Sequence, residues 1–323
     1  MKEKITVIIP THNYRQGLLN RLLDYYSTYP VKIIIEDGSS KKNNAKFNKN
    51  ISYYHSPKKE FVMRIKHALE NCKTKYVAIN QDDDFLIFSS LEKGKKFLDL
   101  NKNYSFVSGN IFYFEFFFNS IIHKSVYQIN SLKSNSSKSS NTRLLNFFSQ
   151  PQMLVASLFK RNDLLENLNL YEKFIKKIIP QKRSIYGEFA FSMFMFSKFN
   201  YKYLNLIWQF RDRNVYPFER LSNKKNLSRP MNSTILDKDT SEFKIFKKEI
   251  DKIFRVEKKI DLENLLVDFL KNYIKDDQSE LKSYNIKKNI RSHSPKLANV
   301  LRYINRFIRL ALFDRSTNLK KKY

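Results

Sequence analysis

The sequence is short of cysteine, glycine and long apolar runs, and each shortage closes off a class of protein. Cys72 is the single cysteine, so no internal disulfide and no cysteine-rich metal centre can form. The five histidines, His12, His55, His67, His123 and His293, show no zinc-ligand spacing. No apolar run reaches the ~20 residues that a bilayer-spanning helix needs. The apolar run within residues 1–10 is too short for a signal peptide and lacks a small-residue cleavage site. These features predict a cytoplasmic location. Only five glycines are present, and none forms a phosphate-cradling loop after the first apolar run. No zinc finger, RNA-recognition signature or basic leucine zipper occurs.

What is abundant is positive charge: 60 Lys and Arg against 31 Asp and Glu, a formal net charge of +29. Such a field attracts anionic partners, among them nucleotide sugars, phospholipids and nucleic acids. Lys, Asn, Ile, Phe and Tyr are all frequent while Gly is scarce, a pattern that nucleotide bias produces without selection for a basic surface. Specific nucleic-acid binding is therefore not expected. Hydrophobic residues at 42% and aromatics at 15% can build a sizeable core, and the length accommodates one large α/β domain with an appendage.

Along the chain, Ile5 to Pro10 is a β-type run followed by Thr11-His12-Asn13. Leu18, Leu19, Leu22, Leu23 and Tyr26 then share one helical face, with Asn13 as a cap. Val31 to Ile35 predicts a buried strand ending in Glu36-Asp37-Gly38-Ser39-Ser40, a turn in which Gly38 is expected at positive φ. Ile51 to Tyr54 is a third strand, Phe61 to Asn71 a helix, and Tyr76 to Ile79 a strand running into Asp82-Asp83-Asp84. This alternation predicts a largely parallel sheet with helices on its faces. Beyond it come a helix at Leu91 to Leu100, an aromatic β-prone stretch at Tyr104 to Phe118 interrupted by Gly109, and an exposed loop at Ser131 to Asn141. A strand at Gln152 to Phe159, a helix at Arg161 to Leu170, a helix opened by Gly187-Glu188, and a strand at Tyr203 to Phe210 ending in Arg211, Asp212 and Arg213 complete this part.

Near residue 220 the character changes, dividing the chain into a domain at 1–220 and a Lys-rich helical extension at 221–323. Helical spacing recurs at Phe243 to Phe254 and Leu262 to Ile274. The last helix, Leu297 to Leu312, is basic and amphipathic; such a helix lies on an anionic membrane surface or packs on the main domain.

The chemistry concentrates at Asp82, Asp83 and Asp84. Ligands of open α/β sheets bind at the carboxyl ends of strands. Carboxylates this close repel one another and need a cation or a solvated position. A divalent ion such as Mg²⁺ takes one or two carboxylates and fills its other positions with water and substrate phosphates. An acidic triplet arises by chance about 0.3 times in a chain of this composition, so its place at a strand end, and the motifs before it, carry the weight.

Three stretches in order, Ile8-Ile9-Pro10-Thr11-His12-Asn13, Glu36-Asp37-Gly38-Ser39-Ser40 and Gln81-Asp82-Asp83-Asp84, resemble the family-2 glycosyltransferases of the GT-A fold. Members commonly show Pro-Thr-Tyr-Asn, then Asp-Asp-Gly-Ser, then a strand ending in Asp-x-Asp. The resemblance runs from about residue 4 to 86 and more weakly to about 215, where Gly187-Glu188 resembles the segment that supplies the family's catalytic base. It implies an α/β protein of GT-A type, a mostly parallel mixed sheet flanked by helices, with a C-terminal helical extension. It implies a metal-dependent, inverting glycosyltransferase, of the hexosyl class, that moves sugar from a nucleotide diphosphate sugar, usually a UDP-sugar, to a glycan or lipid-linked acceptor. Surface polysaccharide biosynthesis, with the protein peripheral on the inner face of the membrane, follows as an expectation. By resemblance, Thr11, Asn13, Asp37, Gly38 and Asp82 would hold the nucleotide, and Asp83 and Asp84 would hold Mg²⁺ or Mn²⁺. Glu188 would be the base, and Arg211 and Arg213 would meet the diphosphate or an anionic acceptor.

There are departures. His12 replaces the usual aromatic and Glu36 the usual Asp. Asp82 and Asp84 form a literal Asp-x-Asp, whereas alignment on the strand puts Gln81 at the first acidic position and leaves Asp83 and Asp84 to bind; Asp84 would be a ligand in either register, with Asp82 on the ribose or a metal-bound water. Two alternatives stand beside this reading. One is a nucleotidyltransferase, which usually begins with a glycine-rich loop absent here. The other is a basic nucleic-acid- or membrane-binding protein with an inactive transferase-like sheet.

Overall fold

The computed structural model describes residues 4–12, 16–45, 47–82, 84–117, 120–125, 133–149, 156–178, 183–212, 240–256 and 260–268. The chain divides into two compact units, Met1–Leu262 and Glu263–Tyr323. In the first unit the elements follow as β1 (Ile5–Thr11), α1 (Gln16–Ser27), β2 (Lys32–Asp37), β3 (Ile51–His55), α2 (Phe61–Glu70), β4 (Tyr76–Ile79), β5 (Asp84–Leu86) and α3 (Phe88–Leu100). Then come β6 (Tyr104–Phe117), β7 (Ser120–Ser125), α4 (Ser140–Ser149), β8 (Leu158–Lys160), α5 (Arg161–Ile175), α6 (Arg183–Lys198), β9 (Asn200–Asp212) and α7 (Ser241–Phe254).

The strands form one sheet in the order β3-β2-β1-β4-β8-β6-β9-β5, with β7 on β6. β1 pairs in parallel with β2 and β4, β2 with β3, and β6 with β9. β8 runs antiparallel between β4 and β6, and β5 runs antiparallel to β9. Most strands therefore share one direction, and the carboxyl ends of β1, β2, β4 and β9 face the same edge. The antiparallel β5 begins at that edge, where Asp84 stands opposite Arg211.

Both faces of the central strands are buried, which is why they read as continuous apolar runs rather than alternating ones. Side chains alternate in direction along a strand. Ile5, Val7, Ile9, Ile33, Ile35, Tyr76 and Ala78 join Leu19, Leu22 and Tyr26 of α1 and Leu91 and Leu98 of α3 in one core. On the other face Phe106 stacks on Phe159 at 5.5 Å and meets Phe196 of α6 at 5.0 Å. Each such side chain, fully buried, contributes about 1.5–3 kcal/mol. α7 is tied to this body by Phe246 against Phe174 at 5.4 Å and Phe254 against Phe194 at 6.0 Å. The Thr240 hydroxyl caps it by accepting from Phe243 N–H at 3.3 Å.

Several expectations change. Of the stretch expected as an exposed loop from Ser131 to Asn141, the described residues 133–141 are not a plain exposed loop. Asn135 is buried and exchanges backbone bonds with Tyr201 at 3.0 and 2.8 Å, and α4 starts at Ser140. Local polarity misled here, because tertiary pairing recruits the asparagine. The helix carrying Gly187 and Glu188 begins at Arg183, so Glu188 sits in its second turn and not at its opening. Of the pattern at Leu262 to Ile274, residues 262–268 are helical. The rest of it, the boundary near residue 220 and the helix at Leu297 to Leu312 lie outside the described residues. Among the described residues no helix is long and apolar enough to cross a membrane.

Candidate active site

Thr11 closes β1 and is the hub of the edge. Its hydroxyl donates to Asp82 Oδ2 at 2.6 Å. Its carbonyl accepts from Gly38 N–H at 2.9 Å and from Arg64 Nη1. Arg64 projects from α2 and also donates to the Glu36 carbonyl at 3.1 Å. One guanidinium thus staples the ends of β1 and β2 together beneath the turn that follows β2. Arg64 is only 8% exposed. Burial pulls its pKa down, and the carboxylates of Glu36, Asp37 and Asp82 pull it back.

This contact explains Gly38. Positive φ was the expectation, but no described glycine has it. A Cβ at Gly38 would lie 2.5 Å from Arg64 Nη1 and 2.7 Å from Cζ. Glycine is needed there for close approach, not for backbone freedom.

Asp37 is held from two sides: the Tyr53 hydroxyl donates to Oδ2 at 2.6 Å and Ser39 N–H to Oδ1 at 2.8 Å. Tyr53 in turn accepts from Asn43 N–H at 2.9 Å. Burial, and then the bond to Asp37, push the Tyr53 phenol up to about 12. Glu36 is fully buried, with Oε1 2.6 Å from His67 Nδ1 of α2. Burial raises its pKa and His67 works against that rise.

The triplet splits. Asp82 turns toward β1 and Thr11. Asp84 turns toward β9, where Arg211 Nε donates to both its oxygens at 3.2 and 3.1 Å and Gln209 Nε2 to Oδ2 at 2.6 Å. Arg211 Nη2 also donates to Gln81 Oε1 at 2.7 Å. Both carboxylates are 2% exposed.

Of the residues singled out from sequence, Thr11, Asp37, Gly38 and Asp82 come together at the β1–β2–β4 edge. Asp84 and Arg211 form a pair between β5 and β9. Asn13, Asp83 and Arg213 lie outside the described residues, as does the side chain of Glu188, whose backbone is in α6. Arg64, Tyr53 and Gln209 belong to this edge with no motif to mark them. Arg64 had one signal: it sits on α2 among the buried Val62, Ile65 and Ala68, an unusual place for an arginine without a polar partner.

The profile of the family described as glycosyl transferase family 2 matches residues 6–168. The chain belongs to this family, and its sheet is the GT-A type that the resemblance implied. Among solved structures, S. aureus TarS 1-349 in complex with UDP-GlcNAc is similar at 16% identity, covering 82% of this chain and 80% of that chain, with a TM-score of 0.46. The complex of TarS 1-349 with UDP is similar at 16% identity, 80% and 76% coverage, and a TM-score of 0.45. Against the longer S. aureus TarS, at 15% identity and a TM-score of 0.42, the match covers 77% of this chain but only 42% of that one. No curated protein matches the chain.

The family commonly uses divalent metals. Among the described residues no three His, Cys, Asp or Glu side chains gather into a cation site. Asp84 already gives both oxygens to a guanidinium and one of them to an amide as well, and Asp82 gives Oδ2 to Thr11. The described residues therefore do not fit a divalent cation at Asp84.

Proposed function

We propose that the chain transfers a sugar, of the hexosyl class, from a nucleotide diphosphate sugar to a glycan or lipid-linked acceptor with inversion at the anomeric carbon. Family membership supports glycosyl transfer. The observation that carries the reading is the junction of Thr11, Gly38, Asp82 and Arg64 at the carboxyl edge, where ligands of α/β sheets bind. Thr11, Asn13, Asp37, Gly38 and Asp82 would hold the nucleotide, usually uridine diphosphate in this family. Asp37, already fixed by Tyr53 and Ser39, would accept a base N–H or a ribose hydroxyl without reorganising.

Glu188 is the proposed base. As the acceptor oxygen attacks the anomeric carbon, Glu188 takes its proton; the bond to the diphosphate oxygen breaks and the diphosphate leaves with the electron pair. The resemblance gives the Mg²⁺ or Mn²⁺ to Asp83 and Asp84, and of these Asp84 is the one already paired with Arg211. Assembly of a surface polysaccharide at the inner face of the membrane, with Leu297 to Leu312 on the anionic surface, belongs to the same proposal and rests on that segment's basic amphipathic pattern.

The test is thermal unfolding with UDP and UDP-sugars, with and without Mn²⁺. A ligand at 100 times its Kd adds about 2.7 kcal/mol to stability, a rise of several degrees. Asp37→Asn should abolish the rise. Glu188→Gln should keep it while lowering transfer by ~10²–10⁴-fold. A wild-type protein indifferent to every nucleotide diphosphate overturns the reading.

A further inference from the structure

We infer that Arg211 is the resident cation of Asp84: the guanidinium takes the place that the resemblance gives to Mg²⁺ or Mn²⁺, and Asp84 is a positioning residue and not a metal ligand. The inference rests on the transferase reading for its consequence but on geometry for its substance. β5 and β9 pair with Asp84 directly opposite Arg211, so the ion pair is built into the register of the sheet. Arg211 Nε spans both carboxylate oxygens, Gln209 adds a neutral donor at 2.6 Å, and Asn80 Nδ2 holds the Asp84 carbonyl at 2.8 Å. The same guanidinium reaches Gln81 Oε1 at 2.7 Å. Arg211 therefore ties together the residues on either side of the carboxylates at 82 and 83.

Two features argue against a metal ion at Asp84. The carboxylate is 2% exposed and its guanidinium 15% exposed, so a divalent ion would have to strip a buried charge of its partner. A buried charge left unpaired is strongly unfavourable. Gln81 also stands where strand alignment puts the first acid of the motif. It is neutral and serves Arg211 as an acceptor, so it adds no negative charge to the pair of Asp84 and Arg211.

The test is a double-mutant cycle on the full chain: Asp84→Asn, Arg211→Gln and the two combined. Unfolding without ligand is the first arm. Each single change breaks a largely buried ion pair and should lower the folding equilibrium constant ~30-fold or more, whereas the combined variant should recover most of it. The second arm is the Mn²⁺ midpoint measured in saturating UDP. The combined variant should lose no more than the ~10–100-fold that removing residues behind a metal's ligands costs. A loss of Mn²⁺ affinity beyond ~100-fold in the combined variant makes Asp84 a ligand and overturns the inference. Additive single effects in the first arm overturn it as well. That arm needs no ligand, so it decides the pair even where UDP fails to bind and the transferase reading itself falls.

Discussion

Gly38→Ala adds one methyl group at a position that no substrate need touch for the effect to appear. The added carbon would sit 2.5 Å from Arg64 Nη1 and 2.7 Å from Cζ, so the guanidinium must move. It cannot move alone, because it is buried and bonded to the carbonyls of Thr11 and Glu36. Hydrogen bonds to charged groups contribute about 1.5–3 kcal/mol each, so losing both costs roughly 3–6 kcal/mol. Alanine returns only about 0.4–1 kcal/mol by restricting the unfolded chain. The net loss is about 2–5 kcal/mol, or a fall of ~5–15 °C in Tm for a unit of this size. Calorimetry of wild type and Gly38→Ala measures it. The mechanism is checked by Arg64→Ala in both backgrounds. With the guanidinium gone the methyl group has nothing to meet, so the two changes should be far from additive. A Tm unchanged within about 2 °C, or strictly additive variants, refutes the account of why glycine stands here.

Arg143→Met should cost about 2–4 kcal/mol in urea unfolding. Arg143 is buried and donates to the carbonyls of Ser197 and Lys198 at 2.9 Å each, at the end of α6, and to Lys138 at 3.2 Å. Tyr53→Phe should remove one late-titrating phenol from the ultraviolet pH titration. The Tyr53 pKa rises from 10.0 unfolded to about 12 folded, so its contribution is whole below pH 10 and is lost as pH climbs through about 12; the variant's alkaline limb should flatten there. Glu172 behaves oppositely. Lys66 and then Lys176 lower it from 4.5 to about 2, so its contribution is present above pH 4.5 and lost as pH falls toward about 2. Both partners keep some solvent exposure, so Lys66→Met should remove no more than ~1 kcal/mol of acid-sensitive stability.

Much of the fold was legible because buried parallel strands announce themselves. Tyr76 to Ile79 is a strand over the residues its apolar run marks, and Ile5, Lys32 and Ile51 begin strands within a residue of expectation. What escaped was structure made by distant pairing. β5 is three residues long and exists because β9 lies beside it. The irregular register between Asn110 and β9 follows no local pattern. A Cβ at Gly109 would lie 2.7 Å from the Leu206 carbonyl, so the glycine read as an interruption of β6 is where β9 crowds in. The motif residues were legible as a set and illegible as individuals. Asp82, Asp83 and Asp84 are identical in sequence, yet Asp82 bonds Thr11 seventy-one residues away and Asp84 pairs with Arg211 one hundred and twenty-seven away.

That separation bears on how the edge meets a substrate. Four described carboxylates lie along this edge, Glu36, Asp37 and Asp82 at the ends of β1, β2 and β4 and Asp84 at the start of β5, against two largely buried guanidiniums, Arg64 and Arg211. A nucleoside diphosphate would bring further negative charge to this edge, and like charges at short range disfavour one another. Counter-charge must therefore arrive with the donor or stand nearby on this chain. Arg64 is spent on strand ends and Arg211 on Asp84, so neither can be the whole answer. Beyond a fixed side chain such as Arg213, the supply is an incoming cation or the protein's net charge of +29, and salt separates these two. A diffuse positive field weakens steeply as ionic strength rises, because the Debye length shrinks to about 8 Å at physiological salt and about 3 Å at 1 M. A cation fixed between a carboxylate and the phosphates is far less screened. UDP affinity that falls with NaCl at constant Mn²⁺ points to the field, and affinity that tracks Mn²⁺ at constant ionic strength points to the ion.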